Sequence, residues 1–291
     1  MMKFWITTRP KPGMEREQFD YEWGVIHTSM MVTTPSVLIG SFRCYTQHRS
    51  VLDGFADADL LYPRSAESWY SCADHLCGSY EDVVEAVVAQ DYRRRMFPHR
   101  FSDKAMVVEL TATEVLHDES PTRLDAGGVK VVNHIKARPG VGHEEFADWW
   151  RREYAPVLLD AAGGRIHRYV QNPSVPGDPA FFKGSLFELG NTGTYAGVEE
   201  LYFDDLAEMS AVGREIGDLM RATASSMVEV DGCFGLVVVE RVVFDFTGDR
   251  SRLAPAVRTE GSVEWQMVQS ERGWDTWNAS RPVGSPKGAG E

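Results

Sequence analysis

Cysteine is scarce in this chain: four in 291 residues, Cys44, Cys72, Cys77 and Cys233, with no C-x-x-C pair among them. That excludes a disulfide framework and removes the usual redox and zinc-ribbon motifs, so the thiols read as buried or idle. Basic residues are also in deficit, with 30 Lys and Arg against 43 Asp and Glu and a net charge of -13. A broad basic face for nucleic acid is therefore not expected. The opening residues, from Met1 to Arg9, contain no apolar run long enough for a signal peptide or a membrane span. This predicts a cytoplasmic protein with no membrane partner. No H-x-x-x-H, H-E-x-x-H or Walker loop occurs, and Gly190-Asn191-Thr192-Gly193 lacks a Rossmann context. The expectation is no metal and no cofactor.

What the chain does have is an internal repeat. Shifted by 127 positions, Lys3 falls on Lys130, Pro12-Gly13 on Pro139-Gly140, Glu17 on Glu144, Phe19 on Phe146 and Trp23 on Trp150. At offset 124, Tyr45-Thr46-Gln47 meets Tyr169-Val170-Gln171 and Ser50-Val51 meets Ser174-Val175. Leu61-Tyr62 is matched to Leu201-Tyr202, and Val107-Val108-Glu109 to Val238-Val239-Glu240. A polar stretch ending in Gly127-Gly128 separates the copies. The predicted domains are 1–117, a linker at 118–128, 129–247, and an extension at 248–291, with 43% hydrophobic residues supplying a core for each copy.

Both copies open β-rich (3–8 and 129–136), pass a Pro-Gly turn and enter a helical pattern. In the first, Phe19, Trp23, Ile26, His27 and Met30 share one helical face, with Glu15 and Glu17 in the first turn. Strands at about 38–49 and 57–62, a helical region to about 93 and a strand at about 104–116 complete a β-α-β-β-α-β order. That is an α+β, ferredoxin-like unit, whose open sheet face needs a cover, and the second copy is the obvious one. The extension carries Trp265, Trp274 and Trp277, read as packing against the body over a pocket mouth, and its last residues, 286–291, read as disordered.

The stretch from Arg9-Pro10-Lys11-Pro12-Gly13 through Phe19 and Trp23 to His27 resembles the opening of EthD-like proteins of the dimeric α+β barrel superfamily. Lys136-Ala137-Arg138-Pro139-Gly140, Phe146, Trp149-Trp150 and Tyr154-Ala155-Pro156 repeat it, and Tyr169-Val170-Gln171-Asn172 is similar to the family's second strand. The resemblance implies two sheets packed face to face as one barrel, here within a single chain, with a pocket in each half between its helices and its own sheet. It leaves room for a homodimer of the fused barrel. Relatives include decarboxylases, dehydratases, cyclases, lactone isomerases and monooxygenases that need no cofactor. Haem binds some, but no residue here matches an axial-ligand motif.

His27 is the first candidate for proton transfer, since its family counterpart lies at the pocket and an imidazole titrates near neutrality. Tyr154 takes its place in the second half and is a poor base, so the two pockets are expected to be unequal. Tyr45 and Tyr169 stand ready to steady an enolate or to sit in the core. If His134 and His167 project from adjacent strands into a common space they form an acid/base pair for the second pocket, but in Arg165-Ile166-His167-Arg168 alternation allows His167 either face, and the structural reading is the stronger one. Trp23 and Trp150, with Phe19 and Met30, would wall a flat substrate, although core packing is the simpler account of the tryptophans. His75, His99, His117 and His143 read as solvated. The resulting expectation is a lyase or isomerase acting on a cyclic or aromatic hydroxy-acid, ketone or lactone. The alternatives are a cofactor-free monooxygenase or a carrier of hydrophobic metabolites.

Overall fold

The computed structural model describes residues 1–245 except 33, 35, 36, 38–41, 52, 97–100, 120–127, 177–181, 186, 189 and 190. The expected linker thus lies mostly, and the tryptophan-bearing extension wholly, outside the described residues. In the first half, β1 (Met2–Thr8) runs into a helical segment, α1 (Arg16–Tyr21), a π-helical turn (Glu22–His27) and α2 (Thr28–Met31). Then come β2 (Phe42–Ser50), β3 (Ser71–Cys77), α3 (Tyr80–Val88), α4 (Gln90–Met96) and β4 (Val107–Ala112). After β5 (Glu114–Asp118) the second half follows: β6 (Val129–Ile135), α5 (His143–Trp149), a π-helical turn (Trp150–Tyr154) and α6 (Ala155–Ala162). It ends with β7 (Arg168–Pro173), β8 (Asn191–Thr192), β9 (Gly197–Phe203), α7 (Leu206–Ala224) and β10 (Phe234–Asp245).

Local chemistry places these boundaries. Gly13 and Gly140 hold φ of 80° and 90° in the turns after β1 and β6, a left-handed region that a Cβ disfavours. Ser79 caps α3 by accepting from the Asp82 amide, and Asp205 caps α7 through the Glu208 amide. The face Phe19, Trp23, Ile26, His27 and Met30 is buried as its spacing predicts.

Antiparallel strands run β2-β3-β1-β4 in one half and β7-β9-β6-β10 in the other, the ferredoxin-like order twice. Two strands belong to both sheets. The start of β10 pairs with β6 and its remainder with β2, while β4 continues through Thr113 into β5, which pairs with β7. The backbone amide of Val175 also donates to the Leu110 carbonyl at 2.7 Å. The ring of strands therefore closes on itself as a barrel, removing the free edges of both sheets.

Alternation sorts side chains into three cores. Phe4 and Ile6 join Phe19, Trp23 and Tyr45 beneath the first helices, and Val131, Tyr169 and Leu201 join Trp150 and Met209 beneath the second set. Trp5, Val132, Val198 and Val238 fill the barrel itself. The barrel also holds charge: Lys130 Nζ lies 2.6 Å from Glu200 and 2.8 Å from Glu240, Lys3 Nζ 2.5 Å from Glu200, and His48 2.7 Å from Asp74. Burial alone would push Lys130 down, but Glu200 and Glu240 outweigh it and hold the ammonium well above its usual range.

Register corrects part of the repeat. Residues 57–62 are no strand: Asp57–Asp59 form a 3₁₀ turn, and the third strand is Ser71–Cys77, inside the span expected to be helical. Leu60, Leu61 and Tyr62 are apolar because they pack into the second half's core. Phe4 opposes His75 and Leu110, whereas its counterpart Val131 opposes Leu201 and Val237. Leu201 is thus equivalent to His75, not Leu61, and Glu109 to Leu236, not Glu240. No helix among the described residues is long and apolar enough to cross a membrane.

Candidate functional site

Each half has a π-helical turn above its sheet, and such a widened turn leaves carbonyls for side chains to satisfy. In the first half the Gln47 amide donates to the Trp23 carbonyl at 3.0 Å and to the Tyr45 hydroxyl at 2.8 Å. In the second, Gln171 donates to the Trp150 carbonyl at 2.9 Å and to the Tyr169 hydroxyl at 2.8 Å. The repeated Trp, Tyr and Gln of the sequence are therefore one structural device made twice. It fixes a buried phenol beneath the helix.

Around that device the halves diverge. The buried His27 meets Tyr45 edge-on with ring centroids 6.3 Å apart, and Phe101 at 5.2 Å. Burial raises the Tyr45 phenol above its usual range, so it stays a proton donor at neutral pH. His75, expected to be solvated, is buried on β3 and stacked on Tyr45 at 4.6 Å; burial lowers its pKa to about 4 and keeps it neutral. Arg241, from the last strand of the second half, donates to the Gly24 carbonyl, the Thr28 hydroxyl and the Gln47 side-chain oxygen. That contact fixes which end of the Gln47 amide faces Tyr45. At the corresponding place in the second pocket stands Glu114, paired with Arg151 at 2.8 Å.

The second pocket carries a group that sequence reasoning missed. Glu199 is fully buried; it accepts from the Tyr169 hydroxyl at 2.7 Å and the Asn133 amide at 2.9 Å. Burial raises its carboxyl pKa despite these bonds. Tyr154 is buried, and the hydroxyl of Tyr62, from the first half, lies 3.4 Å from its own. The signal was the Glu199-Glu200 doublet in an otherwise apolar strand. Alternation sends Glu200 to the barrel lysines and Glu199 into the pocket. A small apolar cavity elsewhere in the second core is lined by Leu60, Leu61, Val131, Leu158, Leu201 and Met209 among others, and not by Glu199.

The expected His134 and His167 pair does not form. His134 points into the barrel, 2.6 Å from Glu109 and 3.0 Å from Thr7, level with Val198 and Asn172 on the neighbouring strands. His167 precedes β7 at the other end of the sheet, its amide on the Tyr202 carbonyl and its ring 3.0 Å from Asp204. The one-residue alternation that buries Val131 under the helices turns His134 the other way. His167, Asp204 and Glu208 cluster closely enough to hold a cation, but Glu208 and Asp205 serve the start of α7. Trp23, Trp150, Phe19 and Met30 are core residues of their halves. His143 is exposed and His117 partly so, as expected, and His99 lies outside the described residues.

The loops are exchanged between halves. Phe182 and Phe187, from the connection after β7, pack on Phe4 at 5.7 and 5.1 Å in the first core, as Leu60 to Tyr62 pack into the second.

Residues 138–215 match the EthD domain. The matched stretch contains Trp150, Tyr154, Tyr169, Gln171 and Glu199, and the first half repeats its strand order and its Trp–Gln–Tyr device. No curated protein matches the chain. Among solved structures, one described as a "putative monooxygenase" from Lactobacillus acidophilus NCFM is similar at 6% identity, over 82% of this chain and 93% of that one, with a TM-score of 0.44. A second "putative monooxygenase", from Fusobacterium nucleatum subsp. nucleatum ATCC 25586, is similar at 8% identity over 83% and 93%, with a TM-score of 0.47. A "putative chlorite dismutase" is similar at 12% identity over 82% and 94%, with a TM-score of 0.43.

Proposed function

We propose that this EthD-like chain is a cofactor-free small-molecule lyase or isomerase. It would remove water or carbon dioxide from, or rearrange, a cyclic or aromatic hydroxy-acid, ketone or lactone. The observation that supports this reading is the meeting of His27, at the end of the π-helical turn, with Tyr45 on the strand beneath, among aromatic side chains of the first core. His27 takes the proton whose loss generates an enol or enolate. Tyr45, held by Gln47 and kept protonated by burial, donates to the oxygen on which charge develops. Arg241 positions Gln47 and so, at one remove, the phenol.

The test is mass spectrometry of aromatic acid, hydroxy-ketone and lactone pools incubated with wild-type protein and with His27→Ala. Loss of water or carbon dioxide, or an unchanged mass at a new retention time, should fall about 10²- to 10⁴-fold in the variant. Equal conversion by both proteins would remove His27 from the chemistry. A gain of oxygen would replace the lyase reading with a monooxygenase, and a ligand retained without turnover would make the chain a carrier.

A further inference from the structure

The two copies of the Trp–Gln–Tyr device carry opposite charge at one equivalent place. The strand beside each glutamine sets a charged residue against it: Arg241 opposite Gln47, and Glu114 opposite Gln171. In the second half that charge is answered within the chain, because Arg151, the residue after Trp150, pairs with Glu114 at 2.8 Å. The residue after Trp23 is Gly24, which has no side chain with which to answer Arg241. Among the described residues no carboxylate pairs with Arg241, and its contacts to the Gly24 carbonyl, the Thr28 hydroxyl and Gln47 all pass through Nη2. Arg9, Arg151, Arg165 and Arg214 each lie within 3.0 Å of a carboxylate, so the acidic chain does not lack partners for its guanidinium groups.

The backbone does not explain Gly24 either. It is not one of the glycines with positive φ, and glycine inside a helical segment is disfavoured relative to alanine. A Cβ there would meet only Arg241 Nη2, at 3.9 Å, which is ordinary contact. What the glycine does is leave the flank of the guanidinium open. Both residues are partly exposed, so that flank is reached from solvent.

We propose that Arg241 and the open flank at Gly24 form a carboxylate subsite of the first site, whose substrate is therefore the hydroxy-acid and not the neutral ketone or lactone. The chemistry of that substrate rests on the His27 reading, but its binding does not. The carboxylate takes the role that Arg151 has in the second half with the sign reversed, accepting from Nε and Nη1 of Arg241. Gln47 links this subsite to the phenol: its oxygen accepts from Arg241 and its nitrogen donates to Tyr45 at 2.8 Å. A ring that offers a carboxylate to one and an oxygen to the other is oriented by both. Arg241 comes from the second half, so selection at the first site requires the fused chain.

Calorimetric titration of the full chain with salicylate, and with its neutral amide, salicylamide, tests this in wild type, Arg241→Gln, Gly24→Glu and His27→Ala. Wild type should prefer salicylate, and added salt should weaken the acid and spare the amide. Arg241→Gln should bind salicylate about 10- to 100-fold more weakly, the effect of losing a charge-assisted contact, with salicylamide little changed. Gly24→Glu keeps Arg241 and its contacts but supplies an internal carboxylate, so it should exclude salicylate to a similar degree. It decides alone where Arg241→Gln does not fold. His27→Ala should bind salicylate as wild type does; binding without turnover in wild type would sink the His27 reading and leave the subsite standing. No salicylate binding by wild type, equal affinity for acid and amide, or salicylate affinity unchanged in the folded variants at Arg241 or Gly24 would overturn the proposal, whatever His27→Ala does to conversion.

Discussion

Replacing Lys130 with methionine is expected to cost about 3–5 kcal/mol of unfolding free energy, because it breaks a buried ion network by removing one sign of charge. The Lys130 side chain is wholly buried, and its ammonium bridges Glu200 at 2.6 Å and Glu240 at 2.8 Å. Lys3 also reaches Glu200, and Tyr202 donates to it at 3.0 Å, so Glu200 alone would retain partial compensation. Among the described residues Glu240 would keep only weaker partners, Tyr202 at 3.3 Å and the His48 ring at 3.7 Å. Methionine fills similar volume, which isolates the electrostatic loss from a cavity. Guanidinium unfolding measures it: a midpoint within error of wild type would mean that the network contributes nothing. The double change Lys130→Met with Glu200→Gln should recover part of the loss, since it removes a carboxylate left behind.

The same network sets a pH window. Burial would raise Glu200, Glu240 and Asp74, but the lysines, and His48 for Asp74 and Glu240, hold all three below their usual values. Carboxylates with depressed folded pKa values stabilise the fold above the unfolded value, near pH 4, and that contribution is lost as pH falls through the folded values. Acid should therefore open the barrel, with the transition moved toward neutral pH in Lys130→Met.

How much of this was legible in the sequence depended on whether a residue's neighbours lay in its own half. The helix carrying Phe19, Trp23 and His27 was read correctly because its periodicity answers to the sheet directly beneath it. The Trp, Tyr and Gln repeats were visible as letters, although their shared hydrogen-bond pattern required the π-helical turn, for which no sequence rule was available. Residues 57–62 misled because their apolar side chains serve the other half's pocket. Ser71–Cys77 was overlooked because Asp74 and His75 make it look solvated, when one faces the barrel lysines and the other stacks on Tyr45. Glu199 escaped for the related reason that a charged residue in a strand normally marks a solvent face. In a barrel covered by helices neither face is solvent, so polarity alternation loses its meaning and marks functional or ionic positions instead.

Gly213→Ala tests the exchange of loops between halves. Gly213 lies within α7, where alanine would ordinarily gain about 1 kcal/mol in helix propensity. A Cβ there would sit 1.8 Å from the Asp59 carbonyl oxygen and 2.6 Å from its carbon, and both belong to backbone that cannot rotate away. The Asp59 segment is also tied to α7 by an Arg214 contact at 3.0 Å, so relief requires the whole turn to lift. Leu60, Leu61 and Tyr62 would leave the second core with it. Overpacking against backbone belongs at the upper end of its usual range, so a net loss of about 2 kcal/mol is expected after the propensity gain. Gly217→Ala, one turn on, is the control: its Cβ would meet only the flexible Arg221 guanidinium at 3.1 Å, which can move aside. Denaturation midpoints should fall for Gly213→Ala and hold or rise for Gly217→Ala. If the two variants behave alike, the first half's loop does not seat on α7.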